Sequence, residues 1–234
     1  MIKKLLNDSF IRIFGYKINI QKVSQSDQQT DYKRLRAVYK DVKSLKLHFG
    51  CGPRVLKDWV NIDILFEPYE KYMRYYGDRY YSKEVRGSRE DFFEFNVIDL
   101  GMPLPDDSVD IVFHEDFIEH LSQKNQIIFL SETYRVMKKG ALHRINTPDL
   151  THSMRINSKF YKGREGVFVR EWDDNSHVNL FTKEYLKEIA TLIGYSKIIF
   201  NSKNSSISKG IPLEYRPSED RDQVEGNIFA DLIK

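Results

Sequence analysis

A single cysteine, Cys51, among 234 residues leaves no internal disulfide to staple the fold and points to a reducing compartment. Long apolar runs are missing too: nothing approaches the roughly 20 consecutive residues needed to cross a bilayer. Charge of one sign is scarce. The chain has 37 basic and 34 acidic residues, interspersed, and their net of +3 argues against a nucleic-acid partner. Residues 1–14 carry neither a continuous apolar stretch nor a small-residue cleavage site, so no secretory signal is expected and the cytoplasm is the default. What is present is ordinary. Hydrophobic residues at 41% and charged ones at 30% are the balance of a folded domain, and the length suits one well-buried domain with appendages.

Residues 1–44 read as an N-terminal helical segment and linker, and 45–234 as the domain itself. Within residues 1–22, Leu5, Leu6, Phe10, Ile11, Ile13 and Phe14 can form an apolar helical face flanked by Lys3, Lys4, Arg12 and Lys17. Such a helix either packs on the domain or makes a peripheral contact with the inner face of an anionic membrane. The polar run Ser24 to Thr30 reads as a linker, followed by a helix over Tyr32 to Lys43.

From Leu45 onward short apolar strands alternate with helical segments, the pattern of a parallel sheet with crossover helices. Strands are expected at 45–49, 59–63, 93–97, 111–114, 142–147, 195–201 and 228–233, and helices at 125–137 and 183–193. Two irregular segments interrupt the rhythm: 66–92, crowded with tyrosines, and the polar stretch 152–175. Inserted loops at the carboxyl ends of strands commonly cover ligands. The tyrosines either stack on a ring substrate or present a protein contact surface.

The sharpest local motif is Leu47-His48-Phe49-Gly50-Cys51-Gly52-Pro53. A Gly-x-Gly directly after a strand lets the backbone turn tightly and approach a ligand without Cβ interference. Downstream, Trp59-Val-Asn-Ile-Asp63 ends in an acid placed to accept hydrogen bonds from ribose hydroxyls, with Ile64 beside it. Asn96-Val-Ile-Asp99-Leu100 ends the next strand in an acid that can accept from the exocyclic amine of adenine. Glycine turn, acid and acid at successive strand ends outline an adenosine cradle. His114, at the end of the fourth strand, is expected near the reactive end of the cofactor.

The run from Leu47 to Leu150 resembles the class I S-adenosylmethionine-dependent methyltransferase core, especially methyltransferase type 11. Its glycine turn, Asp63, Asp99, Leu-Pro-Asp-Asp-Ser-Val-Asp turn, Phe117-Ile-Glu-His-Leu121 and Arg135-Val-Met-Lys-Lys-Gly-Ala-Leu follow the family's order. The resemblance implies a Rossmann-like, doubly wound α/β fold with a seven-stranded, mostly parallel sheet and an antiparallel last strand. It implies S-adenosylmethionine as cofactor, met by Phe49, Gly50, Cys51, Gly52, Asp63, Ile64, Asp99, Leu100 and His114. The chain departs from the family at His48, usually an acid that holds the methionine amino group, at Arg54, usually glycine, and at Lys139 and Ala141.

Asp116-Phe-Ile-Glu119-His120 sets two carboxylates and an imidazole at i, i+3 and i+4. The element resembles Glu-x-x-Glu-His of small-RNA 2′-O-methyltransferases and ubiquinone-pathway O-methyltransferases, with His177 at the offset of a further metal-binding histidine. By that resemblance Asp116, Glu119, His120 and His177 hold a divalent metal that lowers the pKa of an acceptor hydroxyl. Alternatively His120 or His177 acts as a base without metal, supported by Glu119, or Glu119 merely pairs and His120 merely packs. His143, inside a strand, reads as structural, His152 as a loop residue and Cys51 as a packing residue.

Two rival classes are weighed, and the first is discounted. A nicotinamide-dependent oxidoreductase shares the glycine turn and the acid, and Tyr134-x-x-x-Lys138 matches a dehydrogenase pair, although it precedes the fifth strand. A non-catalytic cofactor-binding subunit would keep the fold alone. For the enzyme, the opening segment resembles leaders of methyltransferases that decorate surface polysaccharides, implying a hydroxyl of a sugar, sugar phosphate or glycan precursor, with a small metabolite as runner-up. The oligomeric state is not encoded legibly.

Overall fold

The structure, a computed structural model, describes residues 25–39, 42, 44–65, 68–80, 84–153, 172, 175–213 and 226–234. The basic-apolar segment 1–22 and nearly all of the polar stretch 152–175 lie outside them. Seven strands form one sheet: β1 (Lys46–Phe49), β2 (Val60–Asp63), β3 (Phe92–Glu94), β4 (Val109–Glu115), β5 (Met137–Pro148), β6 (Lys197–Phe200) and β7 (Asn227–Ile233). Their order is β3-β2-β1-β4-β5-β7-β6. The first five pair in parallel, and β7 runs antiparallel to both β5 and β6. This is the doubly wound α/β architecture that the resemblance implies.

Six helices are described: α1 (Gln25–Val38), α2 (Tyr69–Tyr80), α3 (Val97–Leu100), α4 (Gln123–Val136), α5 (Leu150–Ser153) and α6 (Lys183–Ile193). Two differ from expectation. The polar run expected as a linker is the start of α1, whose outward residues Gln29 and Thr30 are exposed while Tyr32 and Leu35 pack under Phe93 and Phe95. Polarity there marks a solvent face. The tyrosine-rich segment contains α2, with Tyr69, Tyr72 and Met73 against Cys51, Val55, Leu65 and Phe92.

Strand alternation sorts the core onto two faces. Phe49 lies beside His114 and His114 beside Ile145, and this face packs against Phe129 and Leu130 of α4 and Leu186 and Ala190 of α6. On the opposite face His48, Phe113 and Arg144 stand in register, with Trp59, Leu142 and Ile211 completing a second cluster. Among the described residues no helix joins β1 to β2. Residues 50–59 run as a coil bridged to 85–87, with Lys57 N–H donating to Val85 O (2.9 Å) and Gly87 N–H to Val55 O (2.8 Å). No described helix is long and apolar enough to cross a membrane.

Candidate active site

β1 ends in a turn that only glycine adopts comfortably. Gly50 and Gly52 have φ of +57° and +52°, and a Cβ on Gly50 would stand 2.6 Å from Phe117. The turn is closed by Arg54 N–H donating to Cys51 O at 2.9 Å and tied to β2 by Gly50 N–H donating to Ile62 O at 3.0 Å. At the end of β2 the Asp63 carboxylate accepts from Gly52 N–H and from Ile64 N–H, both at 2.7 Å. Burial pushes the pKa of Asp63 up, against the pull of these two N–H groups and of the Arg54 charge.

Above these strand ends lies an open cleft of about 160 Å³. Its walls are Phe49, Ile62, Ile64, Phe95, Val97, Ile98, Phe117 and Leu121, and its polar groups are Asp63, Asn96, Asp99 and Asn125. Asp99 accepts from Asn96 Nδ2 at 2.7 Å. Asp99 sits in α3 and not at a strand end, because β3 stops at Glu94 and Asn96 caps α3 by accepting from Ile98 N–H at 2.9 Å. Two carboxylates at one rim, with flat apolar walls between, suit a planar heterocycle carrying a diol. The cradle fits adenosine, and the glycine turn keeps its floor free of Cβ atoms.

The sequence-derived residues divide clearly. Phe49, Asp63, Ile64 and Asp99 line the cleft; Gly50 and Gly52 form the turn beneath it. Cys51 is buried beside Val55 and Phe92, and burial pushes its thiol pKa up. Leu100 is partly exposed, with its carbonyl accepting from Tyr32 OH at 3.2 Å. His114 does not line the cleft. It is fully buried beneath α4, with ring centroids 5.8, 5.3 and 5.1 Å from Phe117, Phe129 and His143, and burial lowers its pKa to about 3. His143 is likewise structural, with Nδ1 3.0 Å from Tyr195 OH, and His152 lies buried in α5.

Phe117, Leu121, Asn96 and Asn125 also belong to the cleft, though the sequence reading gave them no part in the site. Phe117, Leu121 and Asn125 reach it after Asp116, whose φ of +50° turns the chain sharply out of β4. Residues 116–120 therefore do not form the α-helical turn that the spacing suggests; a single 3-10 turn spans Ile118–His120. Asp116 stands outside the group that gathers next to it. Glu119, His120 and His177 each offer one ligand atom, all within 4.8 Å of one another. Glu119 is buried, accepts from Thr147 Oγ1 at 3.1 Å and lies 3.9 Å from His177 Nε2. The Glu119 carbonyl receives Val178 and Asn179 N–H at 2.8 and 3.1 Å, which brings residue 177 beside Glu119. His120 is exposed, 5.0 Å from the His177 ring.

The dehydrogenase pair dissolves in the structure. Tyr134 OH donates to Gly194 O at 3.2 Å, while Lys138 binds Asp110 at 2.8 Å near the start of β4, the end of the sheet away from the cleft.

Comparison with known proteins places this geometry. Residues 47–145 match the methyltransferase domain family. A Mycolicibacterium smegmatis protein named a probable S-adenosylmethionine-dependent methyltransferase is 40% identical over 65 residues, covering 28% of this chain and 24% of that protein. The match thus spans about a quarter of that relative's length. An S-adenosylmethionine-dependent methyltransferase from Mesorhizobium loti superposes with a TM-score of 0.52 at 13% identity, covering 87% of this chain and 97% of the other. A SAM-dependent methyltransferase from Archaeoglobus fulgidus superposes at 0.50 and 17% identity, covering 88% and 94%. At these identities the superpositions speak for the fold.

Proposed function

We infer, from a chain whose residues 47–145 match the methyltransferase domain family, that the cleft binds S-adenosylmethionine and that the protein transfers its methyl group to a hydroxyl. One observation carries the reading: Asp63 and Asp99 face a single cleft directly above the glycine turn. When bound, the cofactor supplies an electrophilic methyl on a sulfonium. The protein's residues do the rest by positioning. Asp63 accepts the ribose hydroxyls, Asp99 and the amides of α3 meet the adenine edge, and Phe49 and Phe117 offer ring faces to a cation.

A hydroxyl acceptor must give up a proton. Glu119 and His120 stand between Phe117 and Leu121, which line the cleft, and His177 gathers beside them. In the simplest chemistry His120, the exposed member, takes that proton, while Glu119 and His177 hold its surroundings. The same three side chains fit a divalent cation, with ligand atoms within 4.8 Å, and a bound ion would lower the pKa of the hydroxyl. A sugar or sugar-phosphate acceptor rests on the opening segment, outside the described residues, and a small metabolite is the next choice.

Calorimetric titration with S-adenosylhomocysteine, followed by labelled methyl transfer onto sugars, sugar phosphates and small metabolites, tests the reading. Binding with turnover supports it; absence of binding sinks it, and binding without turnover on any acceptor favours a non-catalytic subunit. Repeating the assay with a chelator separates the two chemistries. Loss restored by a divalent ion favours the cation, and indifference favours the free imidazole.

A further inference from the structure

Arg54 and Glu115 form an ion pair at the edge of the glycine turn that the adenosine cradle does not use. Arg54 Nη1 donates to Glu115 Oε2 at 3.2 Å and Nη2 to the Glu115 carbonyl at 3.5 Å; the side chains are only 13% and 11% exposed. Glu115 closes β4, one residue past His114, which pairs with Phe49, so it stands alongside the turn that begins at Gly50. Its other oxygen accepts from Asn146 Nδ2 at 3.3 Å, and Asn146 in turn accepts from Asn227 Nδ2 at 2.8 Å. The Arg54 charge reaches the ligand side of the turn: it helps hold down the pKa of Asp63 and of Cys51.

Two other ways of meeting the charged end of the cofactor are missing among the described residues. His48, where an acid would serve an ammonium, is fully buried, stacked 4.9 Å from Phe113 and hydrogen-bonded to Asn61, and its pKa is lowered to about 3, so it is neutral. No helix follows the turn at residues 50–59, so the turn itself presents no helix N-terminus to a carboxylate. Yet the amino-acid end of S-adenosylmethionine carries one charge of each sign.

We propose that Arg54 and Glu115 are positioning residues for that end, the guanidinium receiving the carboxylate and the Glu115 carboxylate receiving the ammonium. This rests on the cofactor reading above. A buried pair that already holds both signs gives each ligand charge an opposite partner while the site's net charge stays unchanged. The Asn146–Asn227 bonds keep Glu115 oriented while Arg54 shifts toward the ligand.

The test is calorimetry on the full chain with S-adenosylhomocysteine and with 5′-methylthioadenosine, which keeps the adenosine and thioether but lacks the amino-acid end. The unmodified protein should prefer S-adenosylhomocysteine by about tenfold or more. Arg54→Gln should erase most of that preference while leaving 5′-methylthioadenosine within about twofold, and Arg54→Lys should restore part of it. Arg54→Gln leaves a buried carboxylate without its cation, so the double variant Arg54→Gln/Glu115→Gln removes both charges and should show the same selective loss. Unchanged S-adenosylhomocysteine affinity, or a parallel fall for both ligands in the double variant, would overturn the proposal. So would an unmodified protein that binds both equally. Binding of neither ligand to the unmodified chain would instead defeat the cofactor reading, and this proposal with it.

Discussion

The main-chain N–H of Gly52 donates to the Asp63 carboxylate at 2.7 Å, so the glycine turn and the end of the second strand are locked together through a ligand-facing group. Strand spacing alone does not guarantee that link.

Asp63 predicts opposite pH responses for the free and bound protein. Burial raises its folded pKa above the ordinary 3.8, so the folded chain keeps the proton to higher pH than the unfolded one. Stability of the free protein should therefore fall as pH rises from 3.8 through the raised value. Ribose hydroxyls donate to the ionised form, so S-adenosylhomocysteine affinity should rise across the same window. Asp63→Asn should flatten both profiles and weaken binding about tenfold, as read by calorimetry and thermal melts; parallel profiles in the unmodified protein would contradict this.

Gly50→Ala places a Cβ 2.6 Å from Phe117 at φ of +57°. The combined clash and backbone strain should cost ~2 kcal/mol or more and abolish measurable ligand binding. Adding Phe117→Gly, which removes the Phe117 Cβ as well as its ring, should relieve the clash but leave the backbone strain, so thermal stability returns only in part. Full recovery would mean that φ is not what demands glycine here.

His48 and His114 have pKa values lowered by burial to about 3, and burial lowers that of His143 well below the ordinary value too. For depressed histidines stability is complete above the ordinary 6.5 and drains away as pH falls below it, by about 1.4 kcal/mol per pH unit for each residue. His114 makes ring contacts but no hydrogen bond with either nitrogen among the described residues. His114→Phe should hold stability at pH 7 within ~1.5 kcal/mol and shallow the acid slope by one histidine's share. An unaltered slope in denaturant titrations from pH 7 to 4 would place its titration elsewhere.

His120→Ala should lower turnover and leave S-adenosylhomocysteine affinity nearly unchanged, since His120 stands outside the adenosine-lining residues. A fall of about a hundredfold is the scale of a lost general base. An undiminished rate would remove His120 from the chemistry.

Sequence legibility followed the locality of each signal. Helix α6 was readable to its ends because both caps are local: Thr182 accepts from Tyr185 N–H at 3.1 Å, and Gly194 turns left-handed at φ of +119°. Asp63 was readable for the same reason, one short strand beyond a glycine turn. Phe117 and Asn125 were not, since they reach the cleft through a left-handed Asp116, a conformation that aspartate adopts without announcing it. His114 shows a third kind of shortfall: standing near a strand's end says nothing of which way its side chain points. Alternation sends it, like its neighbour Phe49, to the side packed by α4.

The coil of residues 50–59 also shapes how the molecule is made. Where a crossover helix would roof the sheet early, Trp59, Phe113 and Leu142 are instead closed over by Val85 and, much later in the chain, by Ile211 and Leu213. During synthesis from the amino end, five parallel strands can assemble while the Trp59, Phe113 and Leu142 cluster still lacks Ile211 and Leu213. Only emergence of the segment past residue 200 completes it, so ribosome-bound chains shorter than this carry an exposed apolar surface that the finished protein does not.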